Sequence, residues 1–161
     1  MNWRNIIAVL ILSSGSVLSE KQTASVFKGG FFEVEIPSGF SPMPSLGRDK
    51  KEGPDSVSFL SSDRKVSFYI FAPQYYYEPE DIIPQPDETL IDEKKENKGG
   101  TVHRWFTFKS ASGVTRSYHE IRDFDRNRIL ITGFKFSNHK KYEKYKKRYF
   151  LFKKSIRHFD E

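Results

Sequence analysis

Catalytic chemistry has few footholds in this chain. The nearest match to a known constellation is His119-Glu120-Ile121-Arg122-Asp123, which carries the first two residues of the zinc-protease pattern His-Glu-x-x-His and puts Asp123 where the second ligand belongs. That pattern needs its ligands on successive turns of a helix. Here apolar and polar side chains alternate as in a strand, which separates positions 119 and 123 by about 13 Å. The chain has no cysteine, so thiol nucleophiles and thiolate metal ligands are excluded. It has neither the G-x-S-x-G turn of serine hydrolases nor a phosphate-binding P-loop. Gly29-Gly30 and Gly99-Gly100 read as turns, and the four histidines are scattered. No metal and no cofactor is expected.

Two other groupings have the chemistry of recognition. The first is His103, Trp105, Arg116 and Tyr118. With a tight turn at Ala111-Ser112, strand alternation puts these four on one face with Thr107, Glu120 and Arg122, and puts Val102, Arg104, Phe106 and Phe108 on the other with Thr115, Ser117, His119 and Ile121. Aromatic rings interleaved with cations can stack a planar ligand. The simpler reading is cross-strand pairing beneath another element.

The second grouping is the C-terminal segment. Residues 138–161 hold nine Lys/Arg against Glu143, Asp160 and Glu161, which accounts for the whole net charge of +6. Tyr142, Tyr145, Tyr149, Phe152, Ile156 and Phe159 recur at alternating spacings of three and four, the stripe of an amphipathic helix. Asn138 is a suitable N-cap, and a helix of about 22 residues would run roughly 33 Å. Lys140, Lys144, Lys147, Lys154 and His158 fall opposite the stripe, with Leu151 among them, while Lys141 and Arg148 flank its edge. Only Glu143 offers an i,i+4 partner, so like charges repel along this face. A partner surface, an anionic lipid or a polyanion would relieve that repulsion. The acidic stretch Glu78–Glu93, seven acids and no base, is an internal alternative.

The elements that must position these groups read as strands first and a helix last. Phe31–Ile36 alternates and stops at Pro37-Ser38-Gly39; Ser41–Asp55 reads as a loop rich in Pro, Gly and charge. Ser56–Leu60 and Lys65–Ala72 form a hairpin through Ser61-Ser62-Asp63-Arg64. Pro73, Pro79, Pro84 and Pro86 exclude a regular helix over 73–87. Glu88–Glu96, Thr101–Ser110, Gly113–Phe124 and Arg128–Ser137 complete the strands. The fold class predicted is α+β: an antiparallel sheet of about six strands with a long C-terminal helix packed on one face.

Residues 1–19 have the order of a secretory signal peptide, with Arg4, the apolar run Ile6–Leu12 and small residues through Val17-Leu18-Ser19. The run is too short to cross a bilayer as a helix, so an exported mature chain with no transmembrane segment is expected, in a periplasm or outside the cell. Residues 20–28 are expected to be mobile and 29–161 to form one domain held by packing without disulfides.

The order of elements resembles the PsbP/Mog1-like family. The shared features are the corner Ile36-Pro37-Ser38-Gly39-Phe40, the strand Val57-Ser58-Phe59, the strand Val66-Ser67-Phe68-Tyr69-Ile70, a meander, and a terminal helix with Ser155-Ile156 near its end. The resemblance spans roughly residues 29–159. Many members carry a helix where this chain has the proline-rich, acidic 73–87. The resemblance implies a non-enzymatic binding or assembly role toward a protein partner. The expected contacts are Lys140, Lys144, Lys147 and Lys154, with Leu151 as an apolar anchor. Attachment of the same helix to a polyanion or an anionic membrane is the alternative, without a specific nucleic-acid partner. A ligand-binding or hydrolytic site around Trp105, Tyr118 and His119 is the third.

Overall fold

A computed structural model describes residues 25–44 and 53–159; the signal-peptide reading of residues 1–19 lies outside them. Strands β1 (Val26–Lys28), β2 (Phe32–Glu35) and β10 (Arg157–His158) form a small sheet in the order β1-β2-β10. Strands β3 (Phe40–Pro44), β4 (Ser56–Ser61), β5 (Val66–Phe71), β6 (Glu88–Lys98), β7 (Thr101–Ser110), β8 (Thr115–Asp123) and β9 (Arg128–Phe136) form a seven-stranded antiparallel sheet in the order β3-β4-β5-β9-β8-β7-β6. One helix, α1 (His139–Ser155), follows β9. The α+β class is as predicted. The main sheet is made of six of the strands read from the sequence and β3, which forms largely inside the stretch read as a loop, while the strand read over Phe31–Ile36 goes to the small sheet. Pro42 and Pro44 lie at the sheet edge, where a missing N–H is tolerated. Within the segment expected to be mobile, Val26–Lys28 pairs with β2.

The interior strand β5 is buried at all six positions and shows why the sheet is covered twice. Val66, Phe68 and Ile70 point to one side and meet Phe32, Val34, Phe59, Phe134, Tyr145 and Phe152. Tyr69 and Phe71 point to the other and meet Phe106, Phe108, Tyr118, Ile129 and Ile131. On the first side α1 lays its aromatic stripe across the sheet: Phe68 lies 5.2 Å from Tyr149 and 5.4 Å from Phe152, ring centre to ring centre. The small sheet closes the same layer through Phe27, whose ring meets Phe59 edge-on at 5.7 Å. Gly29 permits this, since a Cβ there would stand 2.2 Å from the Phe32 ring. On the second side the chain from Pro73 to Asp87 crosses as a strap with one 3-10 turn at Glu80–Ile82, packing Tyr76, Tyr77 and Ile82 on the sheet. Gly133 in β9 lets Tyr118 lie flat against the backbone; a Cβ would stand 2.6 Å from its ring.

Helix α1 starts as predicted, with the Asn138 side chain accepting from Lys141 N–H at 3.0 Å. It ends earlier, after 17 residues, which is about 26 Å of helix. Ser155 turns the chain: its hydroxyl donates to Phe152 O at 2.8 Å and accepts from Glu35 N–H at 3.1 Å. Arg157 and His158 then pair with Glu33 and Phe32 as β10. Phe159 and His158 therefore belong to neither the helical stripe nor its opposite face. None of the described helices is long and apolar enough to cross a membrane.

Candidate binding surfaces

The hairpin β7–β8 decides the first grouping. Ser110 N–H donates to Val114 O and Gly113 N–H to Ser110 O, each at 2.9 Å, enclosing a three-residue loop with Gly113 at φ 85°. A two-residue turn was expected, and the extra residue slips the register by one. Trp105 faces His119, Phe106 faces Tyr118, Phe108 faces Arg116 and Arg104 faces Glu120. The four residues expected to share a face are thus divided: His103 and Trp105 lie on the helix side with His119, and Arg116 and Tyr118 lie under the strap. Trp105 and His119 therefore share one face of the sheet, and Tyr118 lies on the other.

On the helix side Trp105 and His119 are stacked at 4.7 Å with their planes 5° apart. His119 Nε2 is 3.1 Å from His103 Nδ1, and His119 Nδ1 is 3.2 Å from Lys153 Nζ. With the Lys153 ammonium donating to Nδ1, the His119 proton resides on Nε2 and is donated to His103. Burial first, then the charge of Lys153, lowers the His119 pKa from 6.5 to about 4, and burial also lowers that of Lys153. Lys94 caps the far side of the indole at 5.6 Å. Nothing in the sequence pattern joined Lys153 to this cluster, because its helical position and the hairpin register had to be known together. Asp123, the residue at the second zinc-ligand position, is bound instead to Arg126. Among the described residues no three His, Cys, Asp or Glu converge as a metal site.

On the strap side Arg116, 7% exposed, is an anchor. Its Nε donates to Glu88 at 2.7 Å, its Nη1 to the Tyr118 hydroxyl at 3.0 Å, and its Nη2 to Ile83 O at 3.0 Å. Arg122 Nη2 reaches Glu78 at 3.0 Å, and Arg104 Nε reaches Glu93 at 2.6 Å. Tyr69 and Ser56 donate to Asp81 at 3.0 and 2.8 Å. The acidic stretch therefore neutralises sheet arginines on the face away from α1, and not the helix lysines. Hydrogen bonds to Arg116 hold Glu88 below its ordinary pKa, and hydrogen bonds from Tyr76 and Arg122 do the same for Glu78.

The second grouping survives folding as a surface. Lys140, Lys144, Lys147, Leu151 and Lys154 are all exposed on the outer side of α1. The other helix cations are engaged. Lys141 pairs with Asp63, holding that carboxyl far below its usual range, Lys146 with Glu143 at 2.6 Å, and Lys153 with His119. Arg148 donates to Ser38 O at 3.0 Å. Among the described residues Lys140, Lys144, Lys147 and Lys154 have no carboxylate partner; Lys144 lies over the Tyr145 ring and Lys154 over Phe150, at 5.2 and 4.5 Å. Phe150 and Leu151 are each 57% exposed. Beside Leu151 a groove of about 550 Å³ runs between α1 and the Pro37-Ser38-Gly39 corner, with Arg148 and Glu35 on its walls.

No family model matches the chain, and no curated protein does. Solved structures do. The solution structure of cyanobacterial PsbP (CyanoP) from Synechocystis sp. PCC 6803 aligns with a TM-score of 0.54 at 12% identity, covering 91% of this chain and 99% of CyanoP. The Ran-binding protein Mog1p of Saccharomyces cerevisiae aligns with a TM-score of 0.45 at 10% identity, covering 86% of this chain and 97% of its own. A variant Mog1 structure gives 0.46 at 9%, covering 85% and 96%. At these identities the likeness concerns the backbone alone, and the CyanoP alignment carries it: the antiparallel sheet and terminal helix of this chain have a PsbP/Mog1-like fold.

Proposed function

We propose that this chain is a non-enzymatic binding module that docks an acidic surface of a partner protein on the outer face of α1. One observation carries the reading: four lysines with no carboxylate partner among the described residues form a row along the outer face of α1 that also holds the exposed Leu151, with Phe150 beside it, on a helix whose remaining cations are engaged. Exposed apolar side chains next to unpaired charge offer a partner both an apolar anchor and a polar border, the two components of a protein interface. With residues 1–19 read as a signal peptide, the module acts after export, in a periplasm or outside the cell.

The test titrates the protein against a soluble acidic polypeptide and against vesicles of phosphatidylglycerol and phosphatidylcholine, over a salt series. The comparison is a variant with Lys140, Lys144, Lys147 and Lys154 changed to Gln, and a second with Leu151→Ser. Salt-dependent binding to the acidic polypeptide that fails in the first variant and weakens in the second supports a protein partner. Binding to vesicles alone would replace the protein partner with a membrane surface. Absence of binding to either would overturn the docking face.

A further inference from the structure

Strand β6 runs eleven residues and forms one edge of the main sheet. Its hairpin with β7 closes on Gly99-Gly100, at φ 57° and 84°, which makes Lys98 and Thr101 the hydrogen-bonded closing pair. Antiparallel alternation then turns the backbone N–H and C=O groups of Lys94, Glu96 and Lys98 toward β7, and those of Glu93, Lys95 and Asn97 outward. The register skips Ile91 between Leu90 and Asp92. The regular edge is therefore Asp92–Lys98, and its centre is Lys95.

We propose that this edge pairs antiparallel with the same edge of a second copy of the chain, about a two-fold axis at Lys95. In that register Asp92 of one copy faces Lys98 of the other, and Lys94 faces Glu96, each pair occurring twice. Glu93 faces Asn97, and only Lys95 meets its own kind. Shifting the axis to Lys94 sets Lys94 on Lys94 and Asp92 on Glu96. Shifting it to Glu96 sets Glu96 on Glu96 and Lys94 on Lys98. Shifting it to Glu93 sets Glu93 on Glu93 and runs the ladder into the bulge. Charges on an edge ordinarily guard a sheet against pairing. Here they guard the neighbouring registers and match in this one. The contact is isologous, as a two-fold requires. It is also small against the roughly 800 Å² per partner of a stable interface, so a weak, salt-sensitive dimer is expected.

The absence of cysteine from the chain gives a direct test. At an antiparallel hydrogen-bonded pair the Cα atoms stand about 5.5 Å apart, within disulfide reach. Two Glu93 positions would be separated by about four residues along the strand, roughly 13 Å. Under mild oxidation, Lys95→Cys should form disulfide dimers at least about tenfold faster than Glu93→Cys or Asn97→Cys, while a mixture of the last two gives the crossed dimer. Equal rates for all three single variants would overturn the register and the proposal with it. Lys95→Pro supplies the second arm. It removes an N–H that points away from β7, so the folded monomer should keep its melting temperature while concentration-dependent dimer disappears in sedimentation. A dimer that persists in Lys95→Pro, or a wild-type protein that stays monomeric at every concentration in low salt, would likewise overturn it.

Discussion

The two faces of the seven-stranded sheet are covered by opposite means. On the α1 side the cover is a regular element: a helix with an aromatic stripe, ring against ring, and its charges turned to solvent. On the other side the cover is an irregular strap that a helix could not replace, because four prolines interrupt it, and it is held by arginines from the sheet. Packing holds the first cover and directed ion pairs hold the second. The ionisable groups differ as well: a partly buried histidine, His119, sits beneath the first cover, and carboxylates bound to arginines hold the second.

Core truncation should break the comparison most severely. Phe68→Ala removes the ring on which Phe40, Phe134, Tyr149 and Phe152 converge, and should lower unfolding free energy by about 3–5 kcal/mol in denaturant titrations. Arg116→Ala comes next. It leaves the Glu88 carboxylate buried without its partner, at a cost of about 3 kcal/mol. The loss should be local at first, seen as protease cleavage within residues 73–87 before the sheet unfolds.

Acid separates the faces by pH. His119 has its pKa lowered from 6.5 to about 4, so the unfolded chain binds the extra proton first, and stability on the α1 side falls as pH drops through that window. Discounted for the partial exposure of the ring, the loss is on the order of 1–2 kcal/mol, and His119→Gln should flatten it. Trp105, the one tryptophan among the described residues, should report the change in its fluorescence. The strap carboxylates Glu88 and Glu78 are held below their ordinary pKa of 4.5. Their contribution is therefore complete above that value and lost only at lower pH. Smallest of all, the four-lysine Gln variant should shift stability by no more than about 0.5 kcal/mol in total, with a gain from relieved repulsion.

What could be read from the sequence follows the same division. Alternation and the 3-4 spacing are local signals, so the helix, its buried stripe and every strand but β3 were legible from Phe31 to Phe152. Asn138 marked the helix start because a cap is a single-residue signal. Its end was not legible, because Tyr149, Phe152, Ile156 and Phe159 keep helical spacing while Ser155 bonds to Glu35, some 120 residues away in the chain. The joint face of His103, Trp105, Arg116 and Tyr118 failed on one loop residue, Gly113, since period-two patterns invert with a single slip. The destination of the acidic stretch was hidden for a related reason: Arg116, Arg122 and Arg104 face the strap only in the true register.

The prolines of β3 have a consequence for assembly. Pro42 and Pro44 lack the N–H groups that another strand would need, so of the two rims of the main sheet only β6 offers a full ladder. A sheet with one pairing rim has a valence of one. Joined rim to rim, two copies consume the pairing edge of each other's main sheet, and growth of that sheet terminates there instead of propagating into a fibre.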